Sequence, residues 1–425
     1  MKKETYDVIV IGGGPAGMMA AGCAANFGAS VLLMEKNERL GKKLSITGGG
    51  RCNVTNAQFD TRLFLESFPE AKQFLYSPFS RFGVRETFTF FEDQGLPLIV
   101  EEGGRAFPHT QKAEDVCRVF ERFVKQSGRV NVQLHTALLS FVQENGILCG
   151  VVTSRGMYRA QKIILATGGY AAPETGSTGE CLIILARLGH TIQSPSPHLC
   201  PLRSPDTWVH ALAGISLEDV QLSFFQKNKK VFKKTGRFLF THFGVSGPLV
   251  INASFKAQEL LAGGSFFASL DLFPGHDIKQ LDTHLVELFD AHKNKQCQNV
   301  LRELLQKKLA ESILKRLPIA LAEKEVHSIT KEERRLLIER LKDLRFTING
   351  TMGLDWSIVA DGGVDAKEID FKTMTSRLFP NLYLIGDTLD INRPSGGYSL
   401  QLCWTTGFVA GEHAAREVLK NKEDS

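Results

Sequence analysis

Three glycines, Gly12, Gly14 and Gly17, stand between an apolar run and an alanine-rich stretch, and a carboxylate, Glu35, follows 18 residues after Gly17. That spacing suits a dinucleotide. Gly12 permits a tight turn, Gly14 lets the backbone approach a pyrophosphate at a helix N-terminus, and Gly17 permits close helix packing. Glu35 would hold the adenosine ribose hydroxyls, and an acid there disfavours a 2′-phosphate, which leaves FAD or NAD. The loop Thr47-Gly48-Gly49-Gly50-Arg51-Cys52-Asn53 adds consecutive backbone N–H groups, a cation and an amide able to curl round an anion or a flavin edge. Gly386-Asp387 supplies a carboxylate for ribityl hydroxyls or for water at the pyrophosphate. Gly396-Gly397-Tyr398 precedes the last helix, whose positive end would favour an anionic reduced ring. Hydride transfer also needs a proton partner and an anchor, for which His242, Tyr398 and Arg105 are the candidates, each beside a glycine turn.

Tyr6 to Ile11 is a strand, the alanine-rich stretch through Phe27 a helix, and Ser30 to Met34 a second strand, completing a βαβ unit. Lys36 to Ser80 reads as a functional loop laid over a scaffold. Helices are predicted around Val84–Gly95 and Ala113–Gln126, strands over Val130–Tyr158, and a buried strand at Lys162–Ala166. Ser194-Pro195-Ser196-Pro197 marks a boundary, because proline stops both helices and central strands. The fold class is therefore α/β: a discontinuous FAD-binding domain of residues 1–194 and 345–425, interrupted by an insert of residues 195–344. The insert is β-rich over 195–272 and helical over 273–344, with helices at Asp277–His292, at Val300–Leu317 and after the capping box Thr330-x-x-Glu333. A final helix spans about Leu400 to Leu419. FAD is favoured over NAD because the dinucleotide fold resumes near the C-terminus, where a second glycine cluster stands.

Composition narrows the function further. With 425 residues, 43% hydrophobic and 23% charged, the chain excludes a disordered or disulfide-stapled protein. Its 51 Lys+Arg against 46 Asp+Glu are too balanced to imply a nucleic-acid or membrane partner. The basic run of Lys227, Lys229, Lys230, Lys233, Lys234 and Arg237 reads as the solvated face of a hairpin turning near Asn228; an RNA-binding or RNA-modifying flavoprotein is the alternative of another class. Eight cysteines with no CxxC pair suggest no metal site, no disulfide framework and a reducing cytoplasm. Cys52 invites a redox role but has no partner cysteine at short spacing. No run is long enough for a membrane span. A second strand-embedded GxGxxG is absent, so NAD(P)H, if used, binds transiently.

Taken together, Val8–Gly17, the Gly41–Asn56 stretch, Thr241-His242-Phe243-Gly244-Val245-Ser246-Gly247-Pro248, Gly362-Gly363-Val364 and Ser395-Gly396-Gly397-Tyr398 resemble the BaiN/YhiN-like flavoprotein family, also called the aminoacetone oxidase family. The resemblance implies an FAD domain of glutathione-reductase type, interrupted by an insert with a β-barrel-like and a helical part. It implies cofactor contacts at Gly12, Gly14, Pro15, Ala16 and Gly17, at Glu35, Lys36 and Lys43, and over Thr47–Asn53. Further contacts fall at Leu138, Thr167 and Gly168, at Gly386 and Asp387, and at Gly396, Gly397, Tyr398, Leu400 and Gln401. Members are linked to reduction of unsaturated bile-acid-type ketones and to amine oxidation. The expected reaction is therefore reduction of an unsaturated ketone-type small molecule with NAD(P)H, the alternative an amine oxidase that returns electrons to O2. The chain departs from the family at Gly386-Asp387, where Gly-Glu is usual, at Leu389–Pro394, where a glycine-containing run is usual, and at Ser399, where asparagine is usual.

Overall fold

The computed structural model describes residues 5–353, 356–357 and 359–423. The chain divides into two compact units, one of Met1–Ser196 with Val359–Ser425 and the other of Pro197–Ile358, each with its own hydrophobic core. The chain re-enters the first unit at Val359 rather than at Arg345. The reason is that strand Leu344–Ile348 pairs with Phe266–Asp271 inside the second unit.

In the first unit, strand Thr5–Ile11 is apolar over Val8–Ile11 because it is buried on both faces of a parallel sheet. Val31–Met34 and Gly156–Leu165 flank it in parallel, with Val130–Gln133 beyond the former and Leu382–Leu384 beyond the latter. This is the doubly wound arrangement the glycine spacing called for. The C-terminal helix Tyr398–Glu423 lies against helix Pro15–Asn26. A Cβ at Gly407 would sit 2.5 Å from the Ala16 carbonyl oxygen and one at Gly411 2.4 Å from that of Ala20, so a seam of small residues sets how closely the two helices approach. That seam ties the two ends of the sequence together.

The 36–80 region is more ordered than a loop: it contains helices Thr61–Leu65 and Lys72–Arg81, held by ring contacts among Phe64, Phe68 and Phe79. Glycine-rich flanks masked this aromatic signal in the sequence.

The second unit is a seven-stranded antiparallel sheet. Leu344–Ile348 stands at one end and Gly350–Thr351 at the other, so the two edges are separated by one residue of chain and the sheet curls on itself. Helices follow at Ile278–Ala291, Cys297–Leu304, Lys307–Lys315 and Lys331–Lys342. The helix expected over 300–317 is two, broken where Leu305 takes an extended conformation. The Thr330/Glu333 capping box forms as predicted, with Thr330 Oγ1 accepting from Glu333 N at 3.2 Å. Among the described residues no helix is long and apolar enough to cross a membrane.

Candidate cofactor and active site

At Gly12 φ is +105°, and a Cβ would meet the Ala166 carbonyl oxygen at 2.4 Å; at Gly17 it would lie 1.8 Å from the Gly12 oxygen. Side chains at these positions would force strand and helix apart. Gly14 is different. Nothing lies within 4 Å of its Cβ position, it caps helix Pro15–Asn26 without any side-chain hydrogen bond, and Pro15 opens that helix with Ala16 buried behind it. The first-turn amides are therefore left for a ligand.

Glu35, buried at the end of its strand, accepts from Gly13 N at 2.7 Å through Oε2, and from Asn37 N and Nδ2 at 2.8 Å through Oε1. Three of a carboxylate's four or so acceptor positions are filled, which leaves one on Oε2 for a ribose hydroxyl. Asn37 escaped the sequence reading because a residue two past a strand-end acid carries no motif. Backbone bonds from Thr136 N to Glu35 O (2.9 Å) and from His135 N to Asn37 O (3.1 Å) draw the segment before Leu138 alongside. Lys36 turns elsewhere, donating to Thr178 Oγ1 at 3.0 Å and Glu180 Oε2 at 3.2 Å. Thr167 follows the Ala166 carbonyl that Gly12 approaches, and its Oγ1 is buried without a hydrogen-bond partner. Gly168 adopts φ +76° beside it.

The C-terminal cluster meets this turn directly: a Cβ on Gly386 would lie 3.0 Å from Ala16 Cβ, and Gly386 N donates to Thr406 Oγ1 at 3.1 Å. Asp387, next in sequence, is ion-paired with Arg393 and lies 3.7 Å from Lys43 Nζ, which also donates to the Ala171 carbonyl at 3.0 Å. Burial alone would raise the Asp387 carboxyl pKa, but the Arg393 and Lys43 charges prevail and hold it below its ordinary value. Arg393 is only 3% exposed and also donates to Ser399 Oγ at 3.0 Å. Two of the positions where the chain departs from its family pattern, 393 and 399, are thus bonded to each other, and Arg393 also to the carboxylate.

The Thr47–Asn53 loop takes three successive left-handed glycines, Gly48, Gly49 and Gly50, at φ 59°, 67° and 84°. Gly49 and Gly50 have nothing within 4 Å of their Cβ positions, so their backbone is approachable. The side chains that follow are engaged within the protein. Arg51 pairs with Glu101, donates to Gln111 Oε1 at 2.6 Å and lies 4.1 Å over the Phe107 ring. The Asn53 amide, oriented by its neighbours, donates to Thr55 O at 3.0 Å and Ala106 O at 3.2 Å and accepts from Gly397 N at 3.1 Å. Cys52 is fully buried, and burial pushes its thiol up to about 12, which disfavours the thiolate at neutral pH.

Gly396 and Gly397 have φ of 112° and 99°, and Gly397 packs so tightly that a Cβ would lie 2.2 Å from the Thr55 carbonyl carbon. Leu400 is buried, and Gln401 is wholly enclosed, bonded to Thr55 Oγ1 (2.6 Å), Thr87 Oγ1 (3.0 Å) and Thr405 Oγ1 (3.1 Å). Its side chain has an architectural role that the sequence did not reveal.

Two of the three candidate catalytic residues flank the same short strand. Arg105 pairs with Asn56, and Asn56 Nδ2 donates to Gly396 O at 3.4 Å, next but one to Tyr398. The Tyr398 ring rests on Phe64 (4.8 Å between centroids), while Arg105 Nε donates to Glu102 O at 3.2 Å, leaving its terminal nitrogens available. His242 belongs to the second unit, where it is exposed and its ring meets Phe243 edge-on at 4.9 Å.

These residues fit FAD: approachable glycine backbone at Gly14, Gly49 and Gly50, a ribose acceptor on Glu35, and two cations against one carboxylate at Asp387. Fold and site together are those of a Rossmann-type FAD-binding oxidoreductase. The HI0933-like protein Rossmann domain model matches residues 6–413, and the chain belongs to that family. It is 30% identical over 416 residues to the 3-dehydro-bile acid delta(4,6)-reductase of Clostridium scindens, covering 96% of this chain and 98% of that one. It is 29% identical over 422 residues to the ribosomal RNA dihydrouridine synthase of Escherichia coli, with 96% and 98% covered. Among solved structures, the 3-ketosteroid-delta4-(5alpha)-dehydrogenase of Rhodococcus jostii shares the fold with a TM-score of 0.53 at 13% identity, over 97% of both chains.

Proposed function

We propose that this flavin-dependent oxidoreductase reduces a carbon–carbon double bond conjugated to a carbonyl, with NAD(P)H as the source of electrons. The observation that carries the reading is that two full-length relatives, though named for different substrates, share one bond type. A 3-keto-4,6-diene and a uridine ring each place the reducible double bond next to a carbonyl. FAD, held by the Gly12–Gly17 turn, Glu35 and the Asp387 cluster, would supply the two-electron, hydride-carrying chemistry between nicotinamide and substrate. The chain's own part is electrostatic and acid–base. Adding a hydride to the β-carbon builds negative charge on the substrate carbonyl, and Arg105 has terminal N–H groups to hold that oxygen. Tyr398 or His242 delivers the proton to the α-carbon. Lys43, Arg393 and the N-terminus of helix Tyr398–Glu423 favour the negative charge of a pyrophosphate and of a reduced ring.

Anaerobic mixing of the FAD-loaded protein with NADH or NADPH should bleach the visible flavin band. Addition of a 3-keto-4-ene steroid or of 5,6-unsaturated pyrimidine should restore it, with one equivalent of saturated product. Bleaching by a primary amine instead, with peroxide formed in air, would replace this reading by the oxidase. Alanine variants of Arg105, Tyr398 and His242 should keep the flavin spectrum and slow the restoring step; wild-type rates in all three would move the site elsewhere.

A further inference from the structure

From sequence the lysine-rich hairpin reads as a solvated face, with an RNA-binding surface as the alternative; the structure puts something beside it that the sequence could not. Strands Ser216–Gln226 and Lys229–Thr241 join through Lys227 and Asn228, both at positive φ (46° and 63°), a two-residue turn that projects the hairpin tip. On the inner face of this sheet Leu222, Phe224, Phe266, Ala268 and Phe346 build the core. On the outer face Phe225 stands directly opposite Phe267 on one neighbouring strand and Lys230 on the other. Neither Phe225 nor Phe267 belongs to the core, and Phe267 is 54% exposed. Lys230 Nζ lies 5.7 Å from the Phe225 ring centroid and the Arg345 guanidinium 5.3 Å from it. One register step further, Lys233 stands opposite Ser223 on the same face. Arg237 is paired with Glu218 at 3.1 Å, but among the described residues Lys227, Lys229, Lys230 and Lys233 form no ion pair.

Two rings laid side by side on a sheet and bordered by Lys230 and Lys233, with Arg345 paired to Asp343 at 2.8 Å, complement a polymer that offers flat π-faces along a chain of phosphates. An acidic protein would use the lysines and leave the rings without a purpose. We propose that this outer face of the second unit docks single-stranded RNA, with bases stacking on Phe225 and Phe267 and phosphates on Lys230 and Lys233. The proposal deepens the reductase reading, on which it rests, by naming the polymer that carries the conjugated double bond.

The test uses the full-length, FAD-loaded protein and a fluorescent, single-stranded, uridine-rich RNA, followed by anisotropy over a salt series. Phe225→Ala/Phe267→Ala should weaken binding by about 5- to 150-fold per ring lost, with an unchanged flavin spectrum and thermal midpoint. Lys230→Gln/Lys233→Gln, which leaves the sheet packing alone, should lower the slope of log affinity against log salt by about 1.4. Binding that both double variants leave untouched overturns the proposal. So does equal retention of poly-glutamate, or a concentration-dependent dimer that the phenylalanine variant abolishes while RNA is not retained. Reduction of a free enone by the same preparations separates the two readings. If it persists where RNA binding is absent, only the docking proposal falls; if RNA binds but no enone is reduced, only the reductase reading falls.

Discussion

Arg393 is nearly sealed from solvent, balanced by Asp387 and held in place by Ser399. Removing one partner of such a pair leaves the other uncompensated, which costs more than the pair itself contributes. Asp387→Asn should therefore lower the stability of the cofactor-free protein by about 3 kcal/mol, read by chemical denaturation, and Arg393→Met should recover part of that loss in the double variant. Glu35→Ala removes a charge-assisted acceptor and also frees Gly13 N and Asn37, so FAD affinity should fall about 10- to 100-fold, measured by flavin fluorescence quenching. At this scale the sequence was informative wherever a backbone constraint demands one residue type. Gly12, Gly17 and Glu35 stand where a dinucleotide turn requires them. It is uninformative where a side chain's partner lies far along the chain: Arg51, Asn53 and Gln401 bond to Glu101, Ala106 and Thr87, which no local pattern announces.

Elements meet in the first unit through glycine, and the cost of adding a methyl group separates two kinds of position. Gly397→Ala combines a left-handed φ with a 2.2 Å overlap on the Thr55 backbone, and should destabilise by about 3 kcal/mol or more. Gly49→Ala has a left-handed φ but open space around it; its loss in the cofactor-free protein should stay near 1–2 kcal/mol. Its larger effect should appear as weakened FAD binding, because the methyl occupies the backbone's approachable side. Thermal melts with and without FAD distinguish the two. Periodicity located the helices Val84–Asp93 and Ala113–Lys125 to within two residues of their expected ends, since each has an apolar stripe. It failed over 300–317, where one amphipathic pattern continues across a break at Leu305 that only packing produces.

For the whole molecule, acid sensitivity should carry the signature of His413. Its ring accepts or donates at the Tyr383 hydroxyl, 2.9 Å away, and burial disfavours its charged form, lowering its pKa below 6.5. A histidine depressed in the folded state contributes stability that is complete above pH 6.5 and is lost as pH falls below it. His413→Gln should accordingly show a flatter fall in melting temperature between neutral and mildly acidic pH than the wild type.

The sheet order has a consequence in time. Gly156–Leu165 is central to the first unit, yet the strand that covers its outer side, Leu382–Leu384, and the helix that clasps Pro15–Asn26 are made only after the whole second unit. On a ribosome adding 5–20 residues per second, the early half waits on the order of 10–40 s with that strand edge bare, while the second unit is synthesised and can close on its own core. Nascent chains should thus protect the Pro197–Ile358 segment from protease before the segment that precedes it. The nucleotide-binding half, begun before the second unit, would become native after it.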